Sequence, residues 1–170
     1  MPAIHYPRWL APITWTVGVL LVHVALPYWL STLSHRYGWS AGGPGALNLF
    51  GLILVLGGVL VVALSAAEHF KSAPRGWDLK ATPFDPPDYL IVSGPYAHSR
   101  NPLYLGELAM WKGWTLFYGS VTVLAATLLL WATVKFVIVP YEERKLTAER
   151  GEAYLRYQAE VPRWFRFRLS

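Results

Sequence analysis

Cysteine is absent, and with it go disulfides, a thiolate nucleophile and any metal site built on sulfur. Charge is scarce too. Only 15% of residues are Asp, Glu, Lys or Arg, where a soluble domain carries roughly a quarter. The five histidines, His5, His23, His35, His69 and His98, show neither HxxxH nor HxxEH spacing, so no metal site is expected. Internal repeats and low-complexity tracts are missing. A formal charge of +5 raises the question of nucleic acid, but basic residues beside apolar runs mark the cytoplasmic face of a bilayer instead. No nucleic-acid partner is expected.

What the chain has is grease in blocks. Of its 170 residues 54% are hydrophobic, and a helix needs ~20 apolar residues to cross the hydrocarbon. Residues 47–67, "LNLFGLILVLGGVLVVALSAA", carry no charge and form the clearest span. Residues 10–30 form a second, with His23 and Pro27 inside; a thin basic flank and no small-x-small site argue against a signal peptide. Residues 121–139, interrupted only by Lys135, form a third. Residues 103–117 are shorter and hold Glu107 and Lys112. The intervening Tyr118-Gly119-Ser120 predicts a helical hairpin.

Four spans return the chain to its starting side. Arg8, Lys71, Arg75, Lys80, Arg100 and the seven basic residues from Arg144 to Arg168 then share one face, and Arg36 stands alone on the other. That asymmetry predicts cytoplasmic N- and C-termini. The expected fold is therefore all-α: a single polytopic membrane helical bundle over 1–170, with four transmembrane helices of which the last two form a hairpin. Residues 68–102 are the expected cytoplasmic loop, made extended by "TPFDPPD". Residues 140–170 are the expected tail, where Leu146, Ala153, Tyr154, Tyr157 and Val161 recur at helical spacing as an amphipathic interfacial helix. Within the bundle, Glu107 is expected to pair with Lys135, His23 to find an internal hydrogen bond, and Gly57, Gly58, Ala63 and Ala67 to allow close helix contact.

Polarity concentrates in two short stretches. In "GPYAHSRNPLYLG", Gly94 to Gly106, Gly94-Pro95 makes a turn and Asn101-Pro102 opens the next helix. The free N–H groups at that helix start, with the fork of Arg100 beside them, suit an anion such as a carboxylate. Snorkelling of Arg100 to lipid phosphate is the competing reading. In "PYEERKL", Pro140 to Leu146, adjacent Glu142 and Glu143 lie at the exit of the last span. They suit an ammonium or a diol, or else simple pairing with neighbouring bases. On the four-span topology both stretches share one membrane face.

Together "GPYAHSRNPLYLGE", "YEERKL" and "RGEAYLRYQAEVPRW" resemble the integral-membrane methyltransferases of the isoprenylcysteine carboxyl methyltransferase and phospholipid N-methyltransferase superfamily, over roughly Tyr89 to Trp164. The resemblance implies S-adenosyl-L-methionine as cofactor and a lipophilic small-molecule substrate arriving from the bilayer. It implies that Leu90 and Ile91 line the cofactor's approach, that Tyr96 is the tyrosine of the Gly-x-Tyr motif, and that Asn101, Pro102, Leu103 and Tyr104 form the cofactor loop. It places Glu142 in the cofactor site as well. Two departures matter. Asn101 stands where prenylcysteine enzymes carry His, and Ile138 replaces the Arg that grips a prenylcysteine carboxylate. An aminophospholipid or another small lipophile is therefore expected ahead of prenylcysteine. Arg100 is expected on the cofactor carboxylate, with Glu143 or His98 receiving the proton of an amine acceptor. A nicotinamide-dependent sterol-type reductase and a non-catalytic scaffold are the rival classes.

Overall fold

The structure, a computed structural model, describes residues 10–40, 43–72 and 89–165. The "TPFDPPD" connector, Arg8 and the terminal "RFRLS" lie outside the described residues. Helices dominate: α1 (Leu10–Leu20), α2 (Leu26–Ser31), α3 (Ala46–Ser72), α4 (Pro102–Tyr118), α5 (Val121–Thr133), α6 (Val139–Arg150) and α7 (Glu152–Glu160). Two strands the sequence reading did not anticipate, β1 (Trp39–Ser40) and β2 (Gly43–Pro44), pair antiparallel between α2 and α3.

Prolines inside two apolar runs are absorbed rather than obeyed as stops. A proline ring clashes with the carbonyl four residues back and removes that carbonyl's donor. Ahead of Pro27 the helix widens into a π turn, Leu21–Ala25, and ahead of Pro140 into another, Val134–Ile138. Such widening relieves the clash. The carbonyl Pro27 leaves free is that of His23, and the Trp114 indole N–H donates to it at 2.5 Å. His23 itself is buried, with Nδ1 3.2 Å from the Val19 carbonyl. The helix that passes Pro140 runs on to Arg150. Gly151, with a φ of +50, ends this helix before α7.

α3 and α4 form the heart of the molecule, antiparallel and almost backbone to backbone. Gly51 faces Gly113 and Gly58 faces Gly106, each pair two turns from the other. A Cβ on Gly58 would lie 2.5 Å from the Gly106 carbonyl, and one on Gly113 2.6 Å from that of Gly51. Only hydrogen fits there. The contact stripe on α3 therefore continues through Val55, Val62 and Ser65. Of the small residues expected in it, Gly58 is present, whereas Gly57 meets open space and Ala63 is exposed. Asn48, buried at the start of α3, reaches the carbonyls of Leu116 and Phe117 and so closes the far end of α4.

The hairpin after α4 forms as expected. Gly119 caps α4 in the left-handed conformation, and the Ser120 hydroxyl accepts from the Val123 N–H to start α5. α4 turns its other face to α5, where the Thr115 and Thr127 hydroxyls meet at 2.8 Å. The expected Glu107–Lys135 pair does not form. Lys135 lies instead over the rings of Trp131 and Phe136, at 4.6 and 5.0 Å, which a neighbouring aromatic supplies more cheaply than a carboxylate on another helix.

The burial pattern is inverted relative to a water-soluble core. Small polar side chains such as Ser31, Ser65 and Thr127 are inside, while Leu56, Leu129 and Phe136 are each more than 60% exposed. That arrangement suits a hydrocarbon surround, where helices associate through small and hydrogen-bonding residues. Two helices, Ala46–His69 and Val121–Arg150, are long and apolar enough to cross a membrane. α4 has 17 residues, and the apolar helix Thr16–Ser31 is shorter still.

Candidate functional site

The polar stretch from Gly94 to Asn101 folds against the end of α3. Gly94 takes a φ of +57, which side chains rarely adopt, and a Cβ there would also lie only 2.7 Å from the Glu68 Cγ. Glu68 accepts from the Ser93 hydroxyl at 2.8 Å and so pins the turn. Pro95 starts a 3-10 turn, Gly94–Ala97, that buries Tyr96. The Tyr96 hydroxyl meets His69 Nε2 at 2.8 Å, and its carbonyl accepts from the Tyr157 hydroxyl at 2.6 Å. Burial pushes the Tyr96 and Tyr157 hydroxyls well above the ordinary tyrosine range, so both remain neutral.

The tail straps across the same loop. The Arg100 N–H donates to the Pro162 carbonyl at 2.9 Å. The Asn101 amide and the Ser99 hydroxyl both donate to the Arg163 carbonyl, at 2.8 and 3.3 Å. Asn101 thus spends its side chain on the tail and gives no side-chain cap to α4, which begins at Pro102. The Leu103 and Tyr104 N–H groups at the positive helix end are left without that acceptor.

Two carboxylates then meet this loop in different ways. Glu142 accepts from the Tyr104 hydroxyl at 2.6 Å. Glu143, one residue on, faces elsewhere and is buried. Arg163 forks onto it, with Nε 3.0 Å from Oε1 and Nη2 on Oε2. That bond raises the Arg163 guanidinium above its ordinary value. Arg100 adds a third contact, Nη2 to Oε1 at 3.1 Å. Both carboxylate oxygens of Glu143, one of the two residues expected to receive a proton, are thus engaged by guanidinium donors. His98 is exposed, and its ring makes no hydrogen bond among the described residues.

Of the other expected site residues, Ile91 is buried, and Leu90 packs on a cluster of Tyr154, Tyr157 and Val161. Tyr104 and Ile138 lie against Leu108, Val134 and Val139, with Trp164 beside them. The position that would hold a carboxylate-gripping Arg is therefore part of an apolar wall. Leu103 is half-buried in the first turn of α4. A groove of about 480 Å³ opens on the outer side of Glu143, between Arg144, Thr147, Gln158 and Arg163. Of the expected site residues it touches Glu143 alone.

His69, Tyr157 and Arg163 are the site residues missed by sequence reasoning. Nothing in local spacing ties them to residues 96–101. The resemblance spanning "EVPRW" was the one signal available for Arg163.

The described residues form a largely apolar-surfaced helical bundle in which Arg100, Glu143 and Arg163 cluster where the loop meets the tail. The phospholipid methyltransferase family matches residues 47–150, more than half the chain, and the protein belongs to that family. No curated protein and no solved structure gives a significant match. Family and apolar helices together mark a membrane-bound methyltransferase.

The residues fit the methyl donor that such an enzyme implies. Arg100 has a buried Nε–H without an acceptor among the described residues, a donor that a carboxylate would satisfy. Glu142 would supply an acceptor for an ammonium or diol, and the Tyr96 and Tyr104 rings would supply π density for a sulfonium.

Proposed function

We propose that the protein transfers a methyl group from S-adenosylmethionine to a lipophilic acceptor that enters from the bilayer, an aminophospholipid or another small lipophile ahead of a prenylcysteine carboxylate. The observation that carries this reading is the buried Nε–H of Arg100, which has no acceptor among the described residues, on the loop that leads into α4, where the Tyr104 hydroxyl donates to Glu142. When bound, the cofactor supplies an electrophilic methyl on a positive sulfur. Arg100 and the start of α4 bind its carboxylate, Glu142 its ammonium or ribose diol, and Leu90 and Ile91 its apolar surface.

Methyl transfer is an in-line displacement. The acceptor's lone pair forms the new bond to carbon while the carbon–sulfur pair leaves with sulfur. Alignment and exclusion of water therefore dominate. An amine acceptor must arrive neutral, and exposed His98 receives its proton and passes it to solvent. Glu143, paired with both Arg163 and Arg100, serves as an anchor. Ile138 in the apolar wall offers nothing to a carboxylate substrate, which is why an amine or neutral lipophile is favoured.

The same reading has all four apolar helices crossing the bilayer, both termini cytoplasmic, and α7 at the headgroups. Family membership does not favour the reductase alternative. Transfer of radiolabelled methyl from the cofactor into total lipid extract, resolved by chromatography, tests the activity. A labelled aminolipid is expected, and an unlabelled extract would refute the proposal.

A further inference from the structure

We infer that Arg163, on the C-terminal strap, is the positioning residue that frees Arg100 to bind a carboxylate. The inference rests on the methyl-transfer reading and divides labour between two arginines that share one glutamate. Glu143 carries one negative charge, and among the described residues it is the only carboxylate that either guanidinium touches. The pairing is unequal. Arg163 engages both carboxylate oxygens through Nε and Nη2. Arg100 reaches one oxygen, already taken, through a single nitrogen at 3.1 Å.

Exposure runs the other way. The Arg163 side chain is 42% exposed and that of Arg100 11%. The exposed arginine thus neutralises the buried carboxylate, and the buried arginine holds the surplus charge. A buried guanidinium with a spare donor is costly until an acceptor arrives. Arg100 has that spare donor in its Nε–H, next to the positive end of α4. Giving up its one contact to Glu143 leaves the glutamate still doubly bonded.

The strap fixes Arg163 for this task. Its carbonyl takes the Asn101 amide and the Ser99 hydroxyl, and the preceding Pro162 carbonyl takes the Arg100 N–H. Without the Arg163 guanidinium, Arg100 would be the sole cation on a buried carboxylate. Breaking such a pair is expensive, so Arg100 would stay on Glu143 and be lost to the ligand.

Calorimetric titration of the full-length protein in detergent, with S-adenosylhomocysteine and with its decarboxylated analogue, tests this. Wild type is expected to prefer the carboxylate-bearing ligand by roughly ten- to hundredfold, the range of a charge-assisted hydrogen bond. Arg163→Ala is expected to erase that preference, Arg163→Lys to keep part of it, and Arg163→Ala with Glu143→Gln to restore it, because the competing carboxylate is gone. A wild-type ratio in Arg163→Ala overturns the inference. Equal weakening of both ligands, with no recovery in the double variant, also overturns it and leaves Arg163 a structural tie. Equal binding of the two ligands by wild type overturns it while sparing the methyl-donor reading. Binding of neither overturns both.

Discussion

α4 separates two arginines, and the molecule treats them differently. Beyond its C-terminal end, Arg36 lies 5.2 Å from the ring centres of Trp39 and Tyr118 and 5.5 Å from that of Tyr28. Its Nη2 donates to the Ser31 hydroxyl at 2.7 Å. No carboxylate pairs with it among the described residues; the charge is closed in by aromatic faces and a serine. Before the N-terminal end, Arg100 has one shared contact to Glu143 and a buried donor facing nothing. The aromatic end has used up its arginine in holding α2, the two strands and the hairpin turn together. The loop-and-tail end has kept one in reserve. The under-satisfied guanidinium is the reason the proposed ligand is assigned to this end.

That contrast can be broken from several directions. The largest effect is expected from Gly106→Val, which forces side-chain atoms into the Gly58 backbone and damages both ends together. Overpacking of this kind costs about 1–3 kcal/mol or more, and thermal unfolding in detergent should show a lower midpoint along with lost cofactor binding. Arg100→Ala and Glu142→Ala come next. Each is expected to weaken methyl-donor binding roughly a hundredfold while the protein stays membrane-integrated, as titration and carbonate extraction would show. Wild-type affinity in both would dismantle the site.

Arg36→Ala should do the reverse. It is expected to cost about 1–2 kcal/mol of stability, the scale of a partly desolvated cation–π contact, and to leave methyl-donor affinity unchanged. A fall in affinity would erase the distinction between the two ends. The smallest effect is expected from Tyr104→Phe, which keeps the ring and removes only the hydroxyl on Glu142. Cofactor binding should weaken by about tenfold with an unaltered unfolding midpoint.

Much of the helical layout was legible. The hairpin at Gly119 follows from local rules about left-handed caps and hydroxyl N-caps, and the α4 start at Pro102 follows from proline's missing N–H. The π turn at Val134–Ile138, which lets the helix run on past Pro140, has no signal in local residue preferences. Glu107 and Lys135 were paired on paper by sign alone. Lys135 instead found aromatic rings one turn back and one residue on, on its own helix. At the site, Tyr104 and Glu142 stood out as members of recognisable motifs, and they do meet. His69 and Arg163 did not stand out, since no periodicity relates them to Tyr96 or Asn101.

From the sequence alone came the apolar blocks, their breaks, and the gathering of polar residues into one loop and one tail. Those features depend on composition and on backbone preferences that act within a few residues. Which arginine neutralises Glu143, which is left with a free donor, and which glycines let α3 touch α4 were decided only by the tertiary structure. Such choices join residues far apart in the chain, and they turn on ångström differences in reach that emerge only when the tail has folded back over the loop.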